Sequence, residues 1–417
     1  MLSNPLYDPF LILSKVYSSG THLKQAIADT YIEEQFRSRT VKIVYGVLEK
    51  DGYLEFCIKY YTEKSPKLAV RILLKICLYM LLYMDKKRYT VTDLAVTLCK
   101  KLGKGGVSGF VNAFLRRFNE EEVKRAIPKN DMGKAIQLSY PLFAYEMLKK
   151  EYNDRADAIA SATAQGISVR FKNEEEAKPY LQKLPIKTPF STTYHHYIFE
   201  RFVRDEGYDA GKYTFQSVGS IAICDCVTAC NRLLDACSAP GGKSVLLADK
   251  CEQITSFELH PHRVDLITQY KKRMQITNVT ELQKDSAVFD EQYAQQFDGV
   301  LCDVPCSGYG TVTENPDIKL FRKQEDFSGL RKMQLDILST CKNYVKKGGA
   351  LYYSTCSLFF CENDAIVECF LKNNPDFVVE NLSSPLPHDK KKFGLQFLPD
   401  ISYGVGFYVC KMIRKNQ

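Results

Sequence analysis

The chain is predicted to fold as an all-helical domain, then a small α+β module, then a doubly wound, mostly parallel α/β sheet. Three observations lead there. Helical apolar spacing and a basic excess share the first third, a proline-broken mixed stretch follows, and strands alternate with helices from about residue 216.

At 417 residues the chain is too long for one ordinary core and should divide into domains. With 45% hydrophobic and 25% charged residues it has the balance of a globular protein. The net charge of +8 is unevenly spread: residues 1–129 carry 22 Lys and Arg against 13 Asp and Glu, and the remainder 35 against 36. All of the basic excess therefore lies in the first third, the footprint of a surface that meets a polyanion, although a solvated basic face has the same composition. Fifteen cysteines in a small secreted chain would suggest disulfides. Here no Lys or Arg precedes the first apolar stretch, Asp8 interrupts it and no small-residue cleavage site follows, so reduced thiols and a cytoplasmic location are expected. The most apolar segment, Leu68 to Met84, contains Arg71 and Lys75. Each would cost about 2.5–3.5 kcal/mol at mid-bilayer, so a core helix is expected and not a membrane span.

Taken in order, Val41, Val44, Tyr45 and Leu48 keep helical spacing, and Asp51-Gly52 is expected to stop that element. Leu68 to Tyr83 is apolar nearly all round, as a central bundle helix should be. Lys104-Gly105-Gly106 breaks the chain before a last helix that holds Val111, Ala113 and Phe114 and carries Arg116 and Arg117. The helical domain is placed at residues 1–118. In the module from 119 to 215, Glu120-Glu121-Glu122 and Pro128 read as linker, Pro179, Pro185 and Pro189 as loop markers, and His195-His196 as a polar loop. From 216 to 417, strands end at Asp235, at Glu258, just before Asp285 and at Asp303. A fifth runs from Ala350 to Tyr353, and Leu330 to Val345 is a helix between strands. That alternation is a Rossmann-like sheet.

Asp235-Ala236-Cys237-Ser238-Ala239-Pro240-Gly241-Gly242-Lys243-Ser244 follows a strand and opens a helix. Paired glycines let the backbone approach a ligand closely, and a helix N-terminus favours an anionic group. Gly-Lys-Ser also ends a phosphate loop, but Cys237 stands where that motif needs its first glycine. Glu258, Asp285 and Asp303 end later strands. An acidic residue after the second strand suits a ribose diol, whereas any one of them alone could mark a turn. Two more runs, Asp303-Val304-Pro305-Cys306-Ser307-Gly308 and Tyr353-Ser354-Thr355-Cys356-Ser357, each follow a strand. In a parallel sheet both emerge on one edge, beside the crevice that the glycine turn would form. A lone cysteine is most often a small buried hydrophobe; two at equivalent strand ends, each followed by Ser, point to chemistry.

These two runs resemble the signature motifs of the Sun (Fmu) family of RNA cytosine-5 methyltransferases, and Ala239-Pro240-Gly241-Gly242-Lys243 resembles its cofactor motif. The likeness continues through Pro316-Asp317-Ile318-Lys319, Gln334 and Lys347-Gly348-Gly349. Val111-Asn112-Ala113-Phe114-Leu115-Arg116-Arg117 is similar to the end of a NusB-like domain, whose fusion ahead of a methyltransferase is the RsmB-type arrangement. The chain departs from the family pattern at Ser217, Glu258 and Glu314 and has no Trp. The resemblance implies a class I methyltransferase domain that takes S-adenosyl-L-methionine as methyl donor. It implies binding of that donor by Ala236 to Lys243, Glu258, Asp285 and Asp303. By resemblance Cys356 is the nucleophile that adds to carbon 6 of cytosine, and Cys306 assists product release. Asp303 would hydrogen-bond the ring edge or hold the adenine side; Lys243 would orient the base or lower a thiol pKa. The implied partner is 16S ribosomal RNA, free or partly assembled, with neither DNA nor membrane, and with no oligomer required. The base must leave its stack, so a loop or single strand is expected.

Three other readings fit part of the sequence. A DNA cytosine-5 methyltransferase would use the Pro-Cys cysteine and a following Glu-Asn-Val-type motif that is not found, leaving Cys356 idle. A cytosine-5 methyltransferase for another RNA shares every motif above. An RNA-binding protein with a vestigial catalytic domain is opposed by the intact cysteines and glycines. Cys224, Cys226 and Cys230 have thiol spacing but no evident fourth ligand, so no metal is expected.

Overall fold

The computed structural model describes residues 4–182, 186–187 and 194–416. Pro185 and Pro189 lie outside them. By contacts the chain separates into two compact units, Met1–Ala160 with Glu314–Arg322, and Ser161–Thr313 with Lys323–Gln417. Of residues 119–215, those up to Ala160 fall in the first unit and the rest in the second; helices occur in both parts and strands only in the second. Among the described residues no helix is long and apolar enough to cross a membrane.

The first unit is helical. Helices at Tyr7–Ser19, Leu23–Ala28, Glu34–Glu49, Asp51–Tyr61, Leu68–Tyr83, Arg88–Lys101 and Ser108–Arg117 are followed, beyond residue 118, by Glu120–Ala126, Asp131–Leu138, Leu142–Tyr152 and Ala156–Ser161. The helix expected to stop at Asp51-Gly52 ends at Glu49, and the stretch expected as linker at Glu120-Glu121-Glu122 is helical. Asp51-Gly52 starts a helix, and the chain turns at Lys50. Asp51 is needed there because the ammonium of Lys75, only 3% exposed, donates to it at 2.6 Å and lies 3.0 Å from Glu55. A buried cation is tolerable only when paired in this way. Gly52 answers to packing, since a Cβ would stand 3.1 Å from the Ser139 backbone. Glu120-Glu121-Glu122 is the first turn of a helix capped by the Asn119 side chain, which accepts from the Glu121 N–H at 3.1 Å. Carboxylates there complement the positive end of the helix. The Pro-Asp-Ile-Lys segment also belongs to this unit: Asp317 accepts from the Leu23 N–H at 3.3 Å, and Lys319 donates to the Glu49 carbonyl at 2.7 Å.

The second unit opens with an antiparallel sheet of β1 (Ile167–Phe171), β2 (Ile186–Lys187), β3 (His196–Phe199) and β4 (Tyr213–Phe215), in the order β2-β3-β1-β4. Its core is aromatic, with Phe171, Phe199, Phe202 and Tyr213 packed together. Pro179 lies inside the helix Glu174–Leu181, near its end, where the missing N–H forfeits a single internal bond. His196 is not on a loop: strand alternation buries it in β3, 2.7 Å from the Ser168 hydroxyl, and burial pushes its pKa down to about 4.

The larger sheet contains β5 (Cys230–Asp235), β6 (Cys251–Glu258), β7 (Val279–Gln283), β8 (Phe297–Asp303), β9 (Val345–Thr355), β10 (Phe377–Glu380), β11 (Asp389–Lys390), β12 (Leu395–Phe397) and β13 (Phe407–Arg414). Its order is β11-β12-β13-β9-β8-β5-β6-β7, with β10 also on β13. The five expected strands, β5 to β9, are the parallel ones; β13 joins β9 antiparallel and carries β10 and β12. The helix expected at 330–345 runs Asp326–Cys341. Strand order reverses between β5 and β8, so the carboxyl ends of β5, β6 and β8 flank a crevice of the kind where ligands bind in such sheets.

Candidate functional site

The turn after β5 is stitched from below. Asp235 is buried at the strand's end; the Ser244 hydroxyl donates to it at 2.6 Å, and the Ser256 hydroxyl donates to Ser244 at 2.9 Å. Burial pushes the Asp235 carboxyl up to about 6 although the Ser244 bond and the Lys243 charge oppose it. Gly241 takes a φ of +96° to cap the helix Gly242–Leu247, a conformation that L side chains rarely adopt. The Gln216 amide donates to the Gly242 carbonyl at 2.9 Å and accepts from Arg170 at 3.0 Å. Neither residue's support of the turn was read from the sequence, because it spans from β1 to a helix 70 residues on.

A cavity of about 720 Å³ opens at the carboxyl edge of the parallel strands. Ala236, Cys237 and Ala239 line one side, Glu258 and Asp285 the next, and Asp303, Cys306 and Cys356 the third. Ser238, Pro240, Gly242 and Lys243 line a smaller adjoining cavity of about 190 Å³, which shares Asp303, Cys237 and Ala239 with the first. Gly241 supports the turn between them. Glu258, 4% exposed, accepts from the His260 N–H at 3.0 Å and lies 3.3 Å from Arg263. Asp285 accepts from the Ala287 N–H at 2.9 Å. Asp303 accepts from the Ser354 hydroxyl at 2.7 Å and from the Lys243 ammonium at 2.5 Å. Burial works against the charge of Lys243, but the Asp303 carboxylate outweighs it and holds the ammonium above its usual range.

Adjacent strands bring the two cysteines together. Asp303 on β8 and Ser354 on β9 are directly paired; Cys306 follows three residues after one, Cys356 two after the other. Their sulfurs are 3.0 Å apart, and the Cys356 N–H donates to the Cys306 sulfur at 3.2 Å. Cys356 is half-buried, Cys306 buried. The bond to Cys356, and then burial, push the Cys306 thiol well above its usual range.

Behind the pair lies Glu362, fully buried and overlooked in the sequence. One of its oxygens accepts from the Ser307 N–H at 2.8 Å and from the Gln334 amide at 3.1 Å, and the other accepts from the Ser357 hydroxyl at 2.5 Å. The available signal was an acid-amide pair, Glu362-Asn363, after the apolar Leu358-Phe359-Phe360-Cys361. Cys224 and Cys226 are buried on a helix, and Cys230 stands 3.6 Å from Cys251. Among the described residues no cluster suited to a metal occurs.

Comparison with known proteins gives two family matches: residues 227–413 with the 16S rRNA methyltransferase RsmB/F family, and residues 10–120 with the NusB family. The chain is 29% identical to the probable ribosomal RNA small subunit methyltransferase B of Bacillus subtilis, with 95% of each chain covered. It is 25% identical to ribosomal RNA small subunit methyltransferase B of Yersinia pestis, with 97% of each covered. In fold it is similar to the crystal structure of PH0851, at a TM-score of 0.81 and 21% identity over 98% of this chain and 99% of that one. A methyltransferase homolog protein from Pyrococcus horikoshii gives a TM-score of 0.59 at 21% identity, over 69% of this chain and 99% of its own.

Proposed function

We propose that the chain, whose residues 227–413 match the RsmB/F methyltransferase family and residues 10–120 the NusB family, methylates carbon 5 of a cytosine in small-subunit ribosomal RNA. The observation that carries this reading is the pair of sulfurs 3.0 Å apart, in one cavity with the carboxylates that end β6 and β8. Two thiols beside a nucleoside-sized crevice suit a reaction in which one thiol adds to a ring and the second helps it leave.

S-adenosylmethionine, when bound, supplies the methyl group. The residues present suit it: Glu258 offers a buried carboxylate to the ribose hydroxyls, Met333 and Ile337 form an apolar wall, and the turn at Gly241-Gly242 admits close approach of the rest. The chain's own work is on the cytosine. The Cys356 thiolate adds to carbon 6, which makes carbon 5 an enamine-like nucleophile. Once carbon 5 carries the methyl group, its proton passes to water, the double bond re-forms and the Cys356–carbon 6 bond breaks with its electron pair returning to the Cys356 sulfur, with Cys306 beside it to assist release. Asp303, held between Lys243 and Ser354, would accept from the exocyclic amine of the base, and Lys243 would donate to the ring edge. The basic helical domain, residues 1–118 as first delimited, would meet the RNA backbone.

The test is incubation of the purified protein with radiolabelled S-adenosylmethionine and 16S ribosomal RNA free of the modification, followed by bisulfite sequencing. One protected cytosine is expected. Label incorporated without bisulfite protection would place the methyl group elsewhere and reject the reading.

A further inference from the structure

The assigned chemistry needs two neighbouring thiols to behave differently, and the cysteine motifs alone do not make them do so. Glu362 supplies a difference. It is wholly buried and forms no ion pair among the described residues, yet it reaches the residue that follows each cysteine: the Ser307 N–H at 2.8 Å and the Ser357 hydroxyl at 2.5 Å. Gln334 locks the arrangement, donating to Glu362 at 3.1 Å and to the Pro305 carbonyl, just ahead of Cys306, at 3.0 Å. The Tyr353 hydroxyl donates to the Glu362 carbonyl at 2.6 Å, so the backbone of Glu362 is tied to β9 as well. A buried carboxylate without a cation is costly, and its hydrogen bonds to charge-free donors have to sustain it. Here all of those bonds run to the two cysteine turns or to the glutamine that braces them.

We propose that Glu362 is a positioning residue that clamps the two cysteine turns together and so holds the thiols in unequal settings, Cys306 buried and Cys356 more open to the base. The proposal rests on the reading of the cysteine pair given above. The nearby charge of Glu362 is among the influences that raise the Cys306 thiol, after its bond to Cys356 and its burial. The carboxylate lies behind the pair and does not line the cavity, so it acts through the turns and not on the base.

Two substitutions weaken the clamp in different ways. Glu362→Gln keeps the reach and loses the charge; Glu362→Asp keeps the charge and is one methylene too short to span both turns. With full-length protein and 16S ribosomal RNA, each should lower kcat roughly tenfold to a hundredfold, the loss expected for a charge-assisted hydrogen bond, and leave the KM for S-adenosylmethionine within about twofold. Alkylation by iodoacetamide, read by peptide mass spectrometry, needs no turnover and so separates failure of this proposal from failure of the assigned reaction. The unaltered protein should be labelled at Cys356 before Cys306. Glu362→Gln and Glu362→Asp should both narrow that preference. If either variant does not fold, Ser357→Ala removes one donor without touching the charge, and a severalfold loss of kcat with the labelling order kept is expected. An identical labelling preference in Glu362→Gln and the unaltered protein, or kcat losses that merely follow the folded fraction by circular dichroism, would overturn the proposal.

Discussion

The glycine-turn side of the cavity and the cysteine side are built on opposite terms. On the glycine-turn side, Glu258 and Asp285 accept from nearby backbone N–H groups, and the space before them is open. On the cysteine side Ser307, Ser357, Glu362 and Gln334 are fully buried and bonded to one another. The first arrangement suits a group that enters and leaves at every turnover, the second a pair of sulfurs whose separation must not change. The contrast predicts that substitutions on the cysteine side abolish chemistry or fold, while those on the glycine-turn side change affinity.

The largest effect should come from the cysteines themselves. Cys356→Ala should reduce methylation by roughly 10⁴-fold or more, the scale of removing a nucleophile, and leave no covalent protein–RNA species on denaturing gels. Cys306→Ala should also be crippled but should accumulate that species, because it stops after the bond to carbon 6 has formed. An adduct from Cys356→Ala and none from Cys306→Ala would reverse the roles.

Glu258→Ala, on the other side, should raise the KM for S-adenosylmethionine roughly ten- to a hundredfold with RNA affinity unchanged, as for the loss of hydrogen bonds to a charged acceptor. Steady-state kinetics with RNA held saturating would measure it, and an unaltered KM would make Glu258 a turn residue only.

Two glycines sharpen the comparison in stability. A Cβ on Gly310 would stand 2.0 Å from the Gly406 carbonyl oxygen and 2.8 Å from that of Cys356, whereas one on Gly242 meets nothing nearer than 3.7 Å. Gly310→Ala should therefore cost about 1–3 kcal/mol in urea unfolding, and Gly242→Ala about 0.5 kcal/mol or less.

The smallest effect concerns pH. Asp235 titrates near 6 in the folded protein against an ordinary 3.8, so its ionised form burdens the fold above about pH 6 and that burden lifts as pH falls toward 4. Asp235→Asn removes a penalty of roughly 3 kcal/mol but weakens the bond from Ser244 by up to about 1.5–3 kcal/mol, for a net gain of roughly 1.5 kcal/mol or less at pH 7. Its clearer mark should be a flatter stability difference between pH 4 and 6, measured by thermal melts of both proteins.

What was legible in the sequence had local causes. The five parallel strands and the residues at their ends announce themselves by apolar runs closing on Asp, Glu or Cys, and they lie where expected. The antiparallel strands beyond β9 were not read, because the buried run of Phe407 to Met412 fits either direction. The helix that begins at Asp51 and the helical state of the triple-Glu segment were not legible for a related reason: turn formers and charge runs also start helices, and only the partners, Lys75 and the Asn119 cap, decide between the two. Glu362 and Gln216 act across long sequence separations, which no window of residues displays.

Cys306 and Cys356 hang from neighbouring strands, so their distance follows from the spacing of roughly 4.8 Å between paired strands and not from the length of chain between them. The parts of the excursion from Ser307 to Tyr344 that do not brace the site, as Gly310 and Gln334 do, could lengthen, shorten or be exchanged while the sulfurs stayed where they are. Chemistry anchored to a ladder and surrounded by replaceable connections lets a lineage change which RNA it accepts without rebuilding the step it performs.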